Sequence, residues 1–120
     1  MAKTVLIIED SLDIGGSLKI LIELEGYNAV VAQTALDGRD KALEIRPDLI
    51  LMDLALPDLD GIELTKELRT LPETADIPII CVSSYTGRFG SEVNEAGCNE
   101  MFSKTSFMTS YVSTLKKYLG

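Results

Sequence analysis

Short, continuous apolar runs alternate with segments of helical periodicity along the whole chain. An apolar run of this kind, without polar residues at every second position, is typical of a strand that is buried on both faces. We predict five such strands, at residues 5–8, 27–31, 49–52, 77–82 and 101–102, with the third ending on Asp53. Because the strands are this short and this regularly spaced, the chain can adopt only a few fold classes.

Between the predicted strands, apolar residues recur at helical spacing, and polar residues or prolines mark where helices begin and end. The helical stripes are Ile14, Leu18, Leu21 and Ile22 in the first helix, Ile62, Leu64 and Leu68 in the third, and Met108, Tyr111, Val112, Leu115 and Leu119 in the last. We predict that Thr34 caps the second helix, that Pro47 follows its end, and that Asp60 caps the third. A short, weak helix is expected at 91–96, before Gly97.

The regular alternation of strand and helix predicts an α/β fold, in which a parallel sheet carries helices on both faces. The 120 residues suit a single domain spanning 1–120, because no linker or low-complexity tract divides them. A closed barrel of eight strands would need about twice this length.

Composition excludes several functions. A formal net charge of −8 disfavours direct nucleic-acid binding, because nucleic acids carry a negative phosphate backbone. The absence of histidine rules out Ser-His-Asp and Cys-His catalysis, histidine metal sites and a role as a phosphohistidine carrier. No apolar run reaches membrane-spanning length. Cys81 and Cys98 lack metal-site spacing, so we expect two reduced core residues of a cytoplasmic protein.

Charged and hydroxyl side chains gather at the carboxyl ends of the predicted strands, where an open parallel sheet binds its ligands. Neighbouring carboxylates repel one another, and a hard divalent cation such as Mg²⁺ removes that repulsion. A carboxylate in such a site can attack phosphorus, while a lysine and a hydroxyl bind the phosphoryl oxygens. The residues at these strand ends are Glu9, Asp10, Asp53, Ser83, Ser84, Ser103 and Lys104.

Each of these residues also has an ordinary structural explanation when it is considered alone. Glu9 and Asp10 can cap the first helix, and Ser83 can bond to nearby backbone at the end of a strand. Lys104 can be a solvated surface lysine. Their joint placement at successive strand ends is what favours a phosphoryl site.

Four segments resemble the motifs of two-component response regulator receiver domains, and they occur in that family's order. Residues 48–61 are similar to the phosphoacceptor segment, and residues 7–10 to the acidic pair. Residues 77–84 resemble the fourth strand with its switch hydroxyl, and residues 97–104 the fifth strand with its lysine. The resemblance covers essentially the whole chain and indicates a single-domain, chemotaxis-regulator-like receiver. It implies a flavodoxin-like (βα)5 fold with strand order 2-1-3-4-5.

The resemblance also implies a role for each residue of the cluster. Asp53 would accept a phosphoryl group from a phosphohistidine on a sensor histidine kinase or a histidine phosphotransfer protein. Mg²⁺, or Mn²⁺ in its place, would be bound by the side chains of Asp10 and Asp53, by the backbone carbonyl of Ala55 and, through water, by Glu9. The implied ligands of the phosphoryl oxygens are Ser83, Lys104 and the backbone N–H of Ser84.

On this interpretation the protein is a signalling phosphoacceptor that switches the binding of a downstream protein target. It is not an enzyme, apart from self-catalysed phosphotransfer and slow self-dephosphorylation. Slow loss of phosphate is expected because Ala55 has no side chain to orient a water, while Tyr85 can shield the phosphoryl group. The predicted moving element is the loop 84–90, with glycines at 87 and 90 as hinges, together with the weak fourth helix. The kinase is expected to contact the first helix and the segment after Lys104.

The sequence departs from the family pattern at three positions. Met101 stands where the family usually has an aromatic switch residue, and the ring of the adjacent Phe102 should point to the opposite face of the sheet. Thr105 replaces a proline that often follows a cis bond, so we predict a trans bond after Lys104 and an altered loop. Ser83 stands where threonine is commoner.

Two other functions fit part of the sequence. The Asp58-Leu-Asp60-Gly61 segment superficially matches the nucleophile motif of haloacid-dehalogenase-type, Mg²⁺-dependent phosphatases, but it follows Pro57 in a turn and does not end a buried strand. The second alternative is a receiver-like interaction module that binds partners without phosphorylation, and the unusual switch positions motivate it.

Overall fold

The computed structural model describes residues 2–84 and 90–120, which alternate between strand and helix. The strands are β1 (Thr4–Ile8), β2 (Asn28–Ala32), β3 (Leu49–Asp53), β4 (Ile79–Ser83) and β5 (Glu100–Ser103). The helices are α1 (Leu12–Leu24), α2 (Ala35–Ile45), α3 (Gly61–Thr70), α4 (Gly90–Ala96) and α5 (Lys104–Leu119). The predicted number and order of elements are confirmed, and the predicted boundaries differ by a few residues.

The strands form one parallel sheet in the order β2-β1-β3-β4-β5. This is the flavodoxin-like order that the resemblance implied, and it places β3 at the centre of the sheet. Ile8 pairs with Met52 across β1 and β3, while Asp53 pairs with Val82 across β3 and β4. The register therefore brings the carboxyl ends of these strands to one edge of the sheet.

The sheet is buried on both faces, and successive residues of each strand enter different cores. Leu6 and Ile8 of β1 pack toward α2, α3 and α4, whereas Val5 and Ile7 pack toward α1 and α5. A strand with a core on each side has no solvent-facing positions, which explains why the predicted strands are apolar without alternation.

Polar side chains cap the amino ends of four helices by accepting backbone N–H bonds that the first helical turn cannot satisfy internally. The predicted caps at Thr34 and Asp60 are both confirmed. The capping pairs are Ser11 with the N–H of Ile14, Thr34 with Asp37, Asp60 with Ile62, and Ser103 with Ser106.

Asp58, in the connection between β3 and α3, caps a different helix. Its carboxylate oxygens accept the backbone N–H groups of Ala35 (2.8 Å) and Leu36 (2.9 Å) at the start of α2. These bonds lower the pKa of Asp58 below its ordinary value. The bond from Leu36 has the larger effect, and the bond from Ala35 follows it. The carboxylate thus links the connection after Asp53 to the amino end of α2.

Gly61 lets α3 begin directly against the end of β3. A Cβ atom at this position would collide with the backbone carbonyl oxygen of Asp53 and would lie 2.8 Å from the Cα of Leu54. With hydrogen alone there, the N–H of Gly61 donates to the carbonyl of Leu54 at 3.0 Å. The close approach holds the backbone that carries Asp53.

The helical stripes predicted from the sequence are partly wrong. Ile14 and Met108, which were expected in the core, are exposed, whereas Phe107 is fully buried between α5 and the sheet. Apolar residues at 107, 108, 111, 112 and 115 fit more than one helical face. Packing of α5 against the sheet buries the face that contains Phe107 and Leu115.

Cys81 and Cys98 are joined by a disulfide, which corrects the expectation of two reduced thiols. Cys81 lies in β4 opposite Met101 of β5, and Cys98 lies just before β5. The Cα atoms are 6.5 Å apart, within the range that a disulfide spans. The sequence separation of 17 residues did not reveal this pair, because pairing of β4 with β5 creates it.

Arg69, near the carboxyl end of α3, connects three parts of the chain. Its guanidinium donates to backbone carbonyls in the α3–β4 connection and before β5, and Asn99 Oδ1 in turn accepts the N–H of Ile79 at 2.9 Å. The acceptors of the guanidinium are the carbonyls of Thr74, Ala75, Ile77 and Gly97 and the Oδ1 of Asn99, at 2.7–3.3 Å. One side chain thus organises the entrances to β4 and β5.

We expect Arg69→Met to lower the free energy of unfolding by about 2–4 kcal/mol, because it leaves several partly buried carbonyls without a donor. The matched control is Lys66→Met on the exposed side of the same helix, whose ammonium has Glu63, at 3.3 Å, as its one ion-pair partner in the described part of the chain. The control should change stability by about 0.5 kcal/mol or less. Urea denaturation measures both, and equal losses in the two variants would contradict the role given to Arg69.

Candidate functional site

Four charged side chains that the sequence analysis singled out meet at the carboxyl edge of the sheet. Glu9 and Asp10 follow β1, Asp53 ends β3, and Lys104 begins α5 directly after β5. Glu9 and Asp53 are buried, with 3% and 5% of their surface exposed. Two buried carboxylates on neighbouring strands are costly unless positive charge or hydrogen bonds compensate them.

Lys104 supplies that compensation. Its Nζ lies 2.9 Å from Oε1 of Glu9 and 3.6 Å from Oδ2 of Asp53. The remaining oxygens accept backbone N–H groups, with Ser11 donating to Glu9 and Ala55 donating to Asp53, both at 3.2 Å. Each buried carboxylate is therefore held by one ionic contact and one backbone bond.

The compensation of Glu9 is incomplete. Burial raises the pKa of Glu9 to about 7, because the hydrogen bond from Lys104 opposes desolvation without cancelling it and the carboxylate of Asp53 adds repulsion. Burial alone would lower the pKa of Lys104, but Glu9 and Asp53 outweigh it and leave that pKa raised. The site thus carries more negative charge than one ammonium neutralises.

The donor set fits a hard divalent cation. One oxygen from each of Glu9, Asp10 and Asp53 lies within 4.8 Å of the others. Mg²⁺ prefers oxygen ligands and uses one or two carboxylates together with water. Asp10 is exposed while the other two are buried, so an ion could be held from the solvent side of the cluster. A cation here would favour the ionised form of Glu9, whose pKa is raised chiefly by burial and further by the carboxylate of Asp53.

The hydroxyl residues lie on the next strand. Ser83 ends β4, is almost fully buried, and pairs in register with Ser103 of β5. It follows Val82, the register partner of Asp53. Ser84 is exposed. The sequence also pointed to Tyr85 and to the glycine at 87, and both lie outside the described residues.

Met101 and Phe102 lie on opposite faces of β5, as predicted. Met101 packs with the core beneath α2, α3 and α4, whereas Phe102 packs toward α5, with its ring centroid 5.7 Å from that of Phe107. The phenyl ring of Phe102 therefore occupies the face away from Met101. The position where the family resemblance places an aromatic switch residue carries the flexible thioether of Met101.

The bond between Lys104 and Thr105 is trans, as predicted. The altered loop after this bond stays a prediction, and in this chain α5 begins at Lys104 with no connecting residue after β5. Ser103 serves both as the last residue of the strand and as the helix cap, accepting the N–H of Ser106 at 3.0 Å. Lys104 is thereby fixed by regular backbone on both sides.

The sequence also matches a known protein family whose members have a site of this kind. The model of the family described as "Response regulator receiver domain" matches residues 5–116. The chain belongs to this family. Receiver domains are signalling components of two-component systems and not conventional enzymes, and aspartyl phosphate and Mg²⁺ are general features of the family.

Three proteins illustrate the similarity of this receiver domain to known ones. It is 37% identical to the "Polar-differentiation response regulator DivK" of Brucella anthropi, over all of this chain and 98% of that protein. A CheY-like receiver domain protein of Methanospirillum hungatei is 28% identical, with a TM-score of 0.85 over 98% of this chain and 97% of that one. The chemotaxis protein CheY4 of Vibrio cholerae, at 23% identity, shares the fold with a TM-score of 0.91 over 99% of this chain and 100% of that one.

A cavity of about 590 Å³ between α1 and α5 reaches the acidic cluster of the receiver. Sequence reasoning missed it, because it requires knowing how two helices from opposite ends of the chain lie on the same face. Its charged end is formed by Glu9, Asp53 and Lys104. Its apolar walls include Ile14, Leu18, Leu51, Val82, Phe107 and Met108.

Over the described ranges, every helix is too short or too polar to cross a lipid bilayer.

We expect the metal-free receiver to lose stability as Glu9 ionises. Its pKa in the folded state, about 7, lies above the ordinary 4.5, so the folded protein binds this proton more tightly than the unfolded chain. The free energy of unfolding therefore falls between pH 4.5 and 7, by an amount on the order of 3 kcal/mol. Lys104 titrates well above this range.

Glu9→Gln, which keeps the shape but not the charge, should lack this slope and be more stable than the wild type above pH 7 without metal. Glu23→Gln is the matched control, since Glu23 is exposed and, within residues 2–84 and 90–120, forms an ion pair with Lys19 alone. Urea denaturation in EDTA at several pH values measures the difference. A Glu9→Gln profile parallel to the wild type would refute the assignment.

Proposed function

We propose that this receiver domain accepts a phosphoryl group onto Asp53 from a phosphohistidine on a sensor histidine kinase or a histidine phosphotransfer protein. The observation that carries the proposal is the placement of the Asp53 carboxylate at the end of the central strand, beside Lys104 and two further carboxylates. A structural ion pair would need only one carboxylate for one lysine, whereas this cluster has three.

Asp53 is suited to act as the nucleophile. One carboxylate oxygen forms the bond to phosphorus while the P–N bond of the donor breaks, and the bonding pair stays on the donor imidazole. Lys104, 3.6 Å from Oδ2 of Asp53, would shift from the carboxylates to a phosphoryl oxygen as negative charge is transferred. Ser83 and the backbone N–H of Ser84 would bind the remaining phosphoryl oxygens, as the family likeness implies.

The metal ligands we propose are the side chains of Asp10 and Asp53, the backbone carbonyl of Ala55 and, through water, Glu9, for Mg²⁺ or for Mn²⁺ in its place. When bound, the ion neutralises charge on the phosphoryl oxygens. The raised pKa of Glu9 supports this role, because a carboxylate that lacks sufficient positive charge favours a bound cation.

Phosphorylation would act on partner binding through β4, β5 and α4. Ser83 lies two residues after Cys81 on β4, and Cys81 pairs in register with Met101 of β5. Both partners belong to the core under α4, so a shift of Ser83 toward a phosphoryl group would displace side chains that pack against α4. We propose that this single domain, 1–120, changes its affinity for a downstream protein in the cytoplasm. Self-dephosphorylation would be slow, since the side chain of Ala55 cannot orient a water.

The donor protein would dock at the cavity between α1 and α5. Ile14 on α1 and Met108 on α5 line this cavity and expose 38% and 45% of their surface. Leu12, at the start of α1, extends the exposed apolar surface. An apolar helix surface around a phosphohistidine would cover these residues and deliver the phosphoryl group to the charged end of the cavity.

Phosphorylation of Asp53 is tested with acetyl phosphate and with candidate phosphohistidine donors. We expect Mg²⁺-dependent, hydroxylamine-sensitive phosphate on the wild type, none on Asp53→Asn, and a rate about 100-fold lower for Lys104→Met. Asp48→Asn is the control, because Asp48 binds the N–H of Thr4 at the opposite end of β3. Intact-mass spectrometry measures the phosphate. A wild type that no donor phosphorylates would favour the interaction module that works without phosphate.

The docking surface is tested with a charge placed on its apolar rim. Ile14→Glu should slow transfer from a phosphohistidine protein by about tenfold or more, while phosphorylation by acetyl phosphate changes less than about twofold. Ile45→Glu is the matched control, since Ile45 is 37% exposed but lies on α2, across the sheet. Equal rates for the two variants with the protein donor would place the docking surface elsewhere.

A further inference from the structure

We infer that the receiver carries an oxidation site, the Cys81–Cys98 pair, at which a hydroperoxide converts two thiols into a disulfide that restrains the output side of the domain. The pair lies in the core under α4 and not at the acidic edge of the sheet. The oxidation chemistry is independent of phosphorylation. Its regulatory consequence rests on the proposed function of Asp53.

The fold holds the two sulfur atoms together. Cys81 is a central residue of β4, and Cys98 lies in the short connection from α4 to β5. The backbone N–H of Cys98 donates to Val93 of α4, and that of the next residue, Asn99, donates to Ile79 of β4. These bonds fix the connection against β4, so the two thiols are neighbours whether or not they are oxidised.

The environment distinguishes the two cysteines. Cys81 is completely buried, while Cys98 retains 9% exposure. The guanidinium of Arg69 donates to the carbonyl of Gly97, one residue from Cys98, and so holds the backbone beside this thiol. Cys98 is therefore the thiol that a small oxidant reaches first, and Cys81 is placed to resolve the product.

The reaction proceeds in two balanced steps. The Cys98 thiolate attacks the hydroperoxide, which breaks the O–O bond, forms a sulfenic acid and releases an alcohol or water. The Cys81 thiol then displaces the sulfenic oxygen as water and forms the S–S bond. Two thiols are oxidised by two electrons and one hydroperoxide is reduced. A low-molecular-weight thiol reverses the change by exchange through a mixed disulfide.

The bond would restrain the elements that the proposed phosphoryl switch uses. It ties β4, two residues before Ser83, to the connection that ends α4, and it lies in the same core as Met101. A disulfide reduces the freedom of the segment that it closes, here residues 81 to 98, which include α4. The oxidised receiver would still be phosphorylated on Asp53, but the conformation of α4 would respond little. Oxidation would therefore prevent phosphorylation from changing the affinity for the downstream protein.

The chemistry is tested first, on the whole chain. The reduced wild type is treated with hydrogen peroxide, the remaining thiols are alkylated, and intact masses are measured before and after dithiothreitol. We expect a monomer that loses both alkylation sites and recovers them on reduction. Cys81→Ala and Cys98→Ala should form no intramolecular disulfide, and Asp53→Asn should form it as the wild type does. Native wild type that keeps both thiols reactive, or yields only intermolecular dimers, overturns the proposal.

The consequence is tested on the wild type in its two redox states, which avoids any variant that fails to fold. Amide hydrogen exchange in α4 is compared with and without beryllofluoride and Mg²⁺, a mimic of the aspartyl phosphate. We expect exchange in α4 of the oxidised protein to be slower by about tenfold or more and to respond little to the mimic. The reduced protein should respond.

An oxidised α4 that responds to the mimic as fully as the reduced one would overturn the restraint. If neither redox state responds, while acetyl phosphate also fails to modify Asp53, the proposed phosphoryl function fails and the regulatory role fails with it, but reversible disulfide formation would still stand. If neither responds although Asp53 is phosphorylated, the restraint is refuted. The two proposals therefore fail by different measurements.

Discussion

The contact of the Lys104 ammonium with Glu9 and Asp53 is the interaction on which the rest of the site depends. It joins the carboxyl ends of three strands, and without it two buried carboxylates would lose the positive charge that contacts them. Even with it, Glu9 keeps a pKa of about 7. The folded chain therefore holds an excess of negative charge at the edge of its sheet. A divalent cation or a rearrangement of Lys104 would change the balance, as the proposed phosphoryl site requires.

Regular backbone, more than loop conformation, sets the geometry of this contact. Asp53 belongs to the central strand, and Gly61 lets α3 pack against the backbone beside it. Lys104 begins α5 immediately after β5, and Ser103 caps that helix. A lysine at the positive amino end of a helix is electrostatically unfavourable. Its two carboxylate partners offset this cost and hold the first turn of α5 toward the site.

The two faces of the sheet differ in what covers them. On one face, α1 and α5 enclose the cavity that reaches Asp53, and Phe102 and Phe107 pack beneath it. On the other face, Met101 shares a core with the disulfide pair and α4. Because alternate residues of a strand enter opposite cores, β4 and β5 contribute side chains to both faces. Arg69 braces the second face by fixing the entrances to both strands.

The sequence alone determined the strands, the main caps and the members of the acidic cluster, because apolar runs, capping residues and strand-end charges are local features. Thr34, Asp60 and the trans bond after Lys104 were predicted on such grounds, and the strand order followed from family likeness. Only the tertiary structure decided which helix faces are buried, as Ile14, Phe107 and Met108 show, and that Cys81 meets Cys98. These depend on how helices and strands distant in the chain are set against one another, and no spacing within the sequence encodes the distance between two side chains on neighbouring strands.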